Sequence, residues 1–183
     1  MRPNPSIPMH TLPQSLSGGD RRSVGESNRV VSLIFENPEL IGVLFQGLET
    51  SDPVLRMRCA DVIEKVTAKL PGLLVPHKKS ILQRLAKIEQ QEVRWHVAPM
   101  LARLPLTETE ENTVVNLLLS YTHDRSSIVN TMSMQALVDI ALRSHRLAPG
   151  IKQHIEELSV IGTAAMKARS KKLLLSLAQA LHG

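Results

Sequence analysis

A helical segment recurs four times along this chain at intervals of about 37 residues. The clearest copy runs Asp52-Pro53-Val54-Leu55-Arg56-Met57-Arg58-Cys59-Ala60-Asp61-Val62-Ile63-Glu64-Lys65-Val66. With Leu55 as the reference position, the other windows are Val93 to Leu104, Val129 to Ile140 and Met166 to Leu177. A fixed period of this size marks a solenoid, in which each unit buries its apolar face only against its neighbours. Such a framework constrains architecture tightly and leaves the task open, because what it offers is a surface.

The interior agrees with that reading. Hydrophobic residues make up 43% of the 183 positions, enough for a sizeable core, yet the only aromatic residues are Phe35, Phe45, Trp95 and Tyr121. A core of Leu, Val, Ile, Ala and Met with so few rings favours helix on helix over a sheet. The expected fold is all-α: a superhelix of about four helix pairs preceded by a capping helix.

The repeats organise the rest of the chain. Residues 1–28 carry four of the eleven prolines, the Gly18-Gly19 pair and many Ser and Asn, so a disordered tail is expected there. The array is expected over 29–183, opening with a short capping helix from Arg29 to Glu36 that Asn37-Pro38 ends. First helices are expected near 38–49, 76–88, 108–121 and 149–159. Second helices are expected near 53–69, 91–104, 127–144 and 164–182. Asp52, Ser126 and Thr163 occupy one aligned position, where each can accept a bond from a free N–H of the first turn. Gln90 stands there in the second copy, a weaker cap.

On a helical wheel, Leu55, Cys59, Val62, Ile63 and Val66 cluster on one side, and their aligned partners are mostly apolar. That side is core. Cys59, the only cysteine, therefore reads as a small buried hydrophobe rather than a nucleophile, and no disulfide or CxxC knuckle is available.

At Asp52-Pro53-Val54-Leu55-Arg56-Met57-Arg58-Cys59-Ala60 the chain resembles HEAT repeats of the bacterial HEAT-like kind, on Asp52, Pro53, Val54, Arg56 and Ala60. The second copy keeps Arg94 and Ala98 but loses the Asp-Pro, and the last two keep mainly the apolar pattern. The resemblance spans about residues 38–182. It implies a curved stack whose second helices line a concave, ligand-facing side. It also implies structural roles for Asp52 and Arg56, which would tie neighbouring turns together.

The wheel face opposite the core would then floor the groove, in three columns: Met57, Trp95, Thr131, Ala168; Asp61, Pro99, Gln135, Lys172; and Glu64, Ala102, Val138, Leu175. The candidate binding residues are Met57, Asp61, Trp95, Thr131, Gln135, Val138 and Lys172. Trp95 reads either as an interaction anchor or as a ring packed against an adjacent helix or under the tail. Pro99 should leave the Trp95 carbonyl without its usual donor and bend the helix, which sets curvature more readily than it contacts a ligand. Ala102, Val138 and Leu175 would form an apolar stripe suited to a partner helix or peptide.

Charge is concentrated at one end. Residues 143–183 hold seven basic side chains against Glu156 and Glu157, which accounts for the whole net charge of +5. Lys167, Arg169, Lys171 and Lys172 form a basic patch that reads either as a phosphate-facing surface or as the solvated end helix a terminal repeat requires. No rings are interleaved there for base stacking.

Signatures of chemistry are sparse. The seven histidines show no HExxH or paired-ligand spacing, and no GxxxxGK[ST], GxGxxG or GxSxG occurs. Neither a metal nor a cofactor is expected. No apolar run approaches a membrane span and no apolar signal core opens the chain, so the cytoplasm is the expected compartment.

The leading functional expectation is a non-enzymatic scaffold that holds another protein or a peptide in its groove. The alternative is a nucleic-acid-binding protein acting through the C-terminal basic helix. It draws on the resemblance to HEAT-like alkylpurine DNA glycosylases, which use an acidic residue and aromatics on the concave face. Asp61 and Trp95 would be the counterparts here, in a groove with a single ring. The HEAT-like lyases that attach bilin pigments share only the repeat.

Overall fold

Helix-forming stretches punctuated by Pro, Gly and capping residues give this chain an all-α fold. The computed structural model describes Leu16 and residues 26–182, within which there are helices and no strands. The tail expected over 1–28 lies outside the described residues, apart from Leu16 and the three residues from Glu26. The chain divides into two units, Met1–Val97 and Ala98–Gly183.

The first unit holds α1 (Ser27–Glu36), α2 (Ile41–Gly47), α3 (Pro53–Thr67) and α4 (Lys78–Gln83), and the start of α5 (Gln91–Arg103). α3 is its centre: α1 and α2 both pack on it. The Asp52 carboxylate starts α3, accepting from the backbone N–H groups of Val54 at 2.9 Å and Leu55 at 3.3 Å, with Pro53 at the first position. Cys59, Val62, Ile63 and Val66 are buried as expected, and Leu55 is half-buried. The α2–α3 approach is close: a Cβ added at Gly47 would stand 2.5 Å from the Cys59 Sγ. Burial, with the negative charge of Asp52 as the lesser cause, pushes the Cys59 thiol up to about 12, so it is a protonated packing group at neutral pH.

Two further contacts shape this unit. Leu16 is fully buried, and the buried Arg58 guanidinium donates to the Leu16 carbonyl at 2.8 Å. Gln90 is not a cap; its side-chain amide donates to the Pro53 carbonyl at 2.8 Å, bridging positions 37 residues apart. This is the contact between successive copies that the resemblance assigned to Asp52 and Arg56. Asp52 instead serves its own helix, and the Arg56 Nε is buried without a hydrogen-bond partner.

The helix expected over 76–88 is broken into a 3-10 stretch (Pro71–His77), α4 and a 3-10 turn (Leu85–Lys87). Pro71 and Pro76 supply no N–H, and Arg84 departs from helical geometry at φ −120°, ψ −58°. Stacking of His77 on Phe45 at 3.8 Å and the Arg84–Glu49 ion pair at 3.0 Å hold this segment.

In the second unit the end of α5 is followed by α6 (Glu108–Tyr121), α7 (Ser127–Ala141), α8 (Ala148–Ile161) and α9 (Ala164–His182). A capping box opens α6: Thr107 accepts from the Glu110 N–H, and Glu110 accepts from the Thr107 N–H at 2.8 Å. Thr163 accepts from the Met166 N–H at the start of α9. Ser126 does not cap α7; its own N–H is bound by Asp124. The Arg143 guanidinium donates to the Ala102 carbonyl, satisfying an acceptor near the end of α5.

α7 is surrounded by α6, α8 and α9. Its buried residues, among them Val129, Met134, Leu137, Val138 and Ile140, spread over a broad arc wider than a single stripe, and the side that carries Thr131, Gln135 and Asp139 stays partly exposed.

Candidate functional site

The helices that pack on α7 leave a groove on their own flank. In α6, Val114, Val115, Leu118 and Tyr121 are buried, and Val115 shares one face with the half-buried Leu119 four positions on. In α8, Ile151, Ile155 and Leu158 are buried, and Gly150, His154 and Glu157 form the adjacent stripe. These two flanks, with Leu147 and Gln153, line a cavity of about 330 Å³, at the lower end of the range for ligand sites. Gly150 borders open space: a Cβ added there would meet no atom within 4 Å.

The polar rim of the groove has a defined hydrogen-bond polarity. The buried Thr122 hydroxyl lies 2.7 Å from the Leu119 carbonyl and 2.9 Å from the His154 Nε2. A carbonyl only accepts, so the single hydroxyl proton of Thr122 goes to Leu119, and Thr122 must accept from the Nε2–H of His154. The other nitrogen, Nδ1, is then an acceptor while the ring is neutral. Burial lowers the His154 pKa first, the facing His123 lowers it further, and Glu157 opposes both. The ring is therefore neutral at pH 7. Gln153 donates its amide N–H to Glu157 at 3.1 Å, which leaves the Gln153 carbonyl as an acceptor too.

A second hollow, of about 460 Å³, lies in the first unit beside His77, Lys79, Ser80, Gln83 and Arg84. Its Arg84 is engaged by Glu49 and Ser80.

The residues expected to floor a groove are placed differently. In the first unit Met57 is buried, and Asp61 is held by Lys65 at 2.8 Å. Trp95 is half-buried with its ring edge-on to His96 at 5.8 Å. It is His96 whose pKa responds to the α3 charges: burial lowers it most, Asp61 and Glu64 raise it, and Lys65 lowers it. In the second unit Val138 is fully buried, since α7 has helices on several sides, and Ala102 and Pro99 are buried as well. The expected apolar stripe is thus reduced to Leu175, which is 64% exposed. Thr131 turns its hydroxyl back to the Ser127 carbonyl, and Gln135 bridges Asp139 and Arg169. Of the basic patch on α9, Lys167, Lys171 and Lys172 are exposed, and Arg169 is half-buried on Gln135.

Among the described residues no group of three or more His, Cys, Asp or Glu is arranged to hold a metal ion. None of the described helices is long and apolar enough to cross a membrane.

No family model and no curated protein sequence matches the chain. Among solved structures, it is similar to a crystal structure described as an engineered protein from the Northeast Structural Genomics Consortium, at 14% identity and a TM-score of 0.62. That likeness covers 94% of this chain and 80% of the other, and at this identity it speaks for the all-α fold alone.

Proposed function

We propose that this chain is a protein-interaction module, built on HEAT-like helical repeats, that holds a peptide segment of a partner in the groove between α6 and α8. The observation that carries the reading is the groove itself. It has walls of Val115, Leu119, Leu147 and Ile151, open space beside Gly150, and a short polar rim of Gln153, His154 and Glu157. Apolar walls with a few convergent polar groups are the usual composition of a recognition site. The repeated helix pairs supply a rigid frame of the kind that repeat proteins use to display such surfaces.

The test is selection of peptides from a random display library on the immobilised full chain, followed by binding of the winners to Gly150→Phe. Open space at Gly150 lets the new ring fill the groove without disturbing α8. Loss of binding with unchanged helix content is expected. Binding that survives Gly150→Phe and disappears in Trp95→Ala would move the site to the second-helix face and refute this reading.

A further inference from the structure

Resting on that reading, we infer that the groove between α6 and α8 selects a segment that presents an aliphatic side chain next to a cationic one, a lysine ammonium or arginine guanidinium. The aliphatic part follows from the walls. Val115 and Leu119 face the groove from α6, and Leu147 and Ile151 face it from the α8 side. None of them carries a ring or a polar atom, so the occupant's gain comes from apolar burial.

The charge preference follows from the rim, where a carboxylate and two further acceptors outnumber the one remaining donor, the second N–H of Gln153. Glu157 is an exposed carboxylate, and the Gln153 amide that lies against it has spent an N–H on it. The His154 Nε2–H is spent on Thr122, which leaves Nδ1 as a lone pair. The nearby cations are engaged elsewhere: Lys152 lies 3.0 Å from Glu156, and Arg146 is bound by Glu108 and Glu111. A carboxylate or phosphate would find one Gln153 N–H but also the like charge of Glu157 and the other acceptors, while an ammonium or guanidinium supplies several donors and the opposite charge. The titratable groups that act on His154 are His123, from the turn after α6, and Glu157 on its own helix. With His154 neutral, the rim carries a net negative charge at pH 7.

The probes are two acetylated, amidated peptides of one sequence, Ala-Leu-Xaa-Leu-Ala, with lysine or glutamate at the central position. Each is titrated into the full-length protein while backbone amide shifts are followed by NMR. The lysine peptide is expected to shift the amides of Gly150, Ile151 and His154 and to bind about tenfold more tightly than the glutamate peptide. Glu157→Gln should collapse that preference with the groove amides still responding. Equal binding of the two peptides, or tighter binding of the glutamate one, overturns the charge selection and leaves the peptide-binding reading standing. No shift at the groove with either peptide, while peptides selected by display bind elsewhere on the chain, overturns both.

Discussion

Replacing Leu16 by Ala should destabilise the first unit by several kcal/mol, although Leu16 stands among Pro, Gly and Ser residues far from the repeats. Its side chain is fully buried. Removing its outer carbons forfeits ~0.8 kcal/mol for each, or roughly 2.4 kcal/mol of transfer free energy. The cavity left behind raises the range to about 2–5 kcal/mol, depending on how far the neighbours collapse. The main chain adds a second attachment, because Arg58 donates a charge-assisted bond to the Leu16 carbonyl in a buried setting. Such bonds contribute ~1.5–3 kcal/mol, and Arg58→Met should cost an amount of that order. The two changes should couple, since Arg58 binds the backbone that carries the Leu16 side chain. Urea unfolding followed by Trp95 fluorescence is the assay, because Trp95 is the sole tryptophan and lies in the first unit. A Leu16→Ala effect within about 0.5 kcal/mol of zero, the range for solvated surface positions, would refute the anchoring of this segment.

The other predictions concern packing and protonation. Gly47→Ala should cost about 1–3 kcal/mol by urea unfolding, because the added Cβ would press on Cys59 Sγ. Gly150→Ala, in open space on α8, should instead stabilise by about 0.4–1 kcal/mol. Leu137→Ala, at the centre of α7, should cost roughly 2–5 kcal/mol. Leu175→Ala, on the exposed side of α9, should stay within about 0.5 kcal/mol of wild type. His77, His96 and His154 all have pKa values lowered chiefly by burial. Between the ordinary histidine pKa of about 6.5 and those lower values, the unfolded chain binds more protons than the folded one. Stability should therefore fall as pH drops below about 6.5, and a flat urea midpoint from neutral pH through that window would contradict the burial of these rings. The same protonation converts His154 Nδ1 from acceptor to donor, so a lysine-bearing peptide should bind more weakly in acid.

How far the sequence carries depends on which interaction sets each feature. The second helices were legible because Asp52-Pro53 and the recurring apolar positions act locally, and α3, α5, α7 and α9 run close to the expected spans. The segment around 76–88 was harder to read. Its apolar spacing favours a helix, but Pro71, Pro76 and the non-helical Arg84 divide it. Val138 shows the limit of a helical wheel, which assumes one buried face. α7 has several neighbours, and only tertiary packing reveals that. Leu16 gave no signal because its burial depends on α3, 42 positions away at Arg58. The groove lacks a local signature for a related reason: its walls come from α6 and α8, which α7 separates in the chain, whereas the recurring apolar pattern is strongest in α3, α5, α7 and α9. The stripe Gly150, His154, Glu157, beside Val115 and Leu119 on the preceding first helix, was the signal available in the sequence.

The central claim is that the flank between α6 and α8 is where a partner peptide lies, and amide chemical-shift mapping of a display-selected peptide on the full-length protein tests it most directly. The account predicts that the largest shifts fall on Val115, Leu119, Gly150, Ile151 and His154 and vanish in Gly150→Phe. Shifts concentrated on Trp95 or along Lys167 to Lys172, with α6 and α8 unmoved, would contradict it.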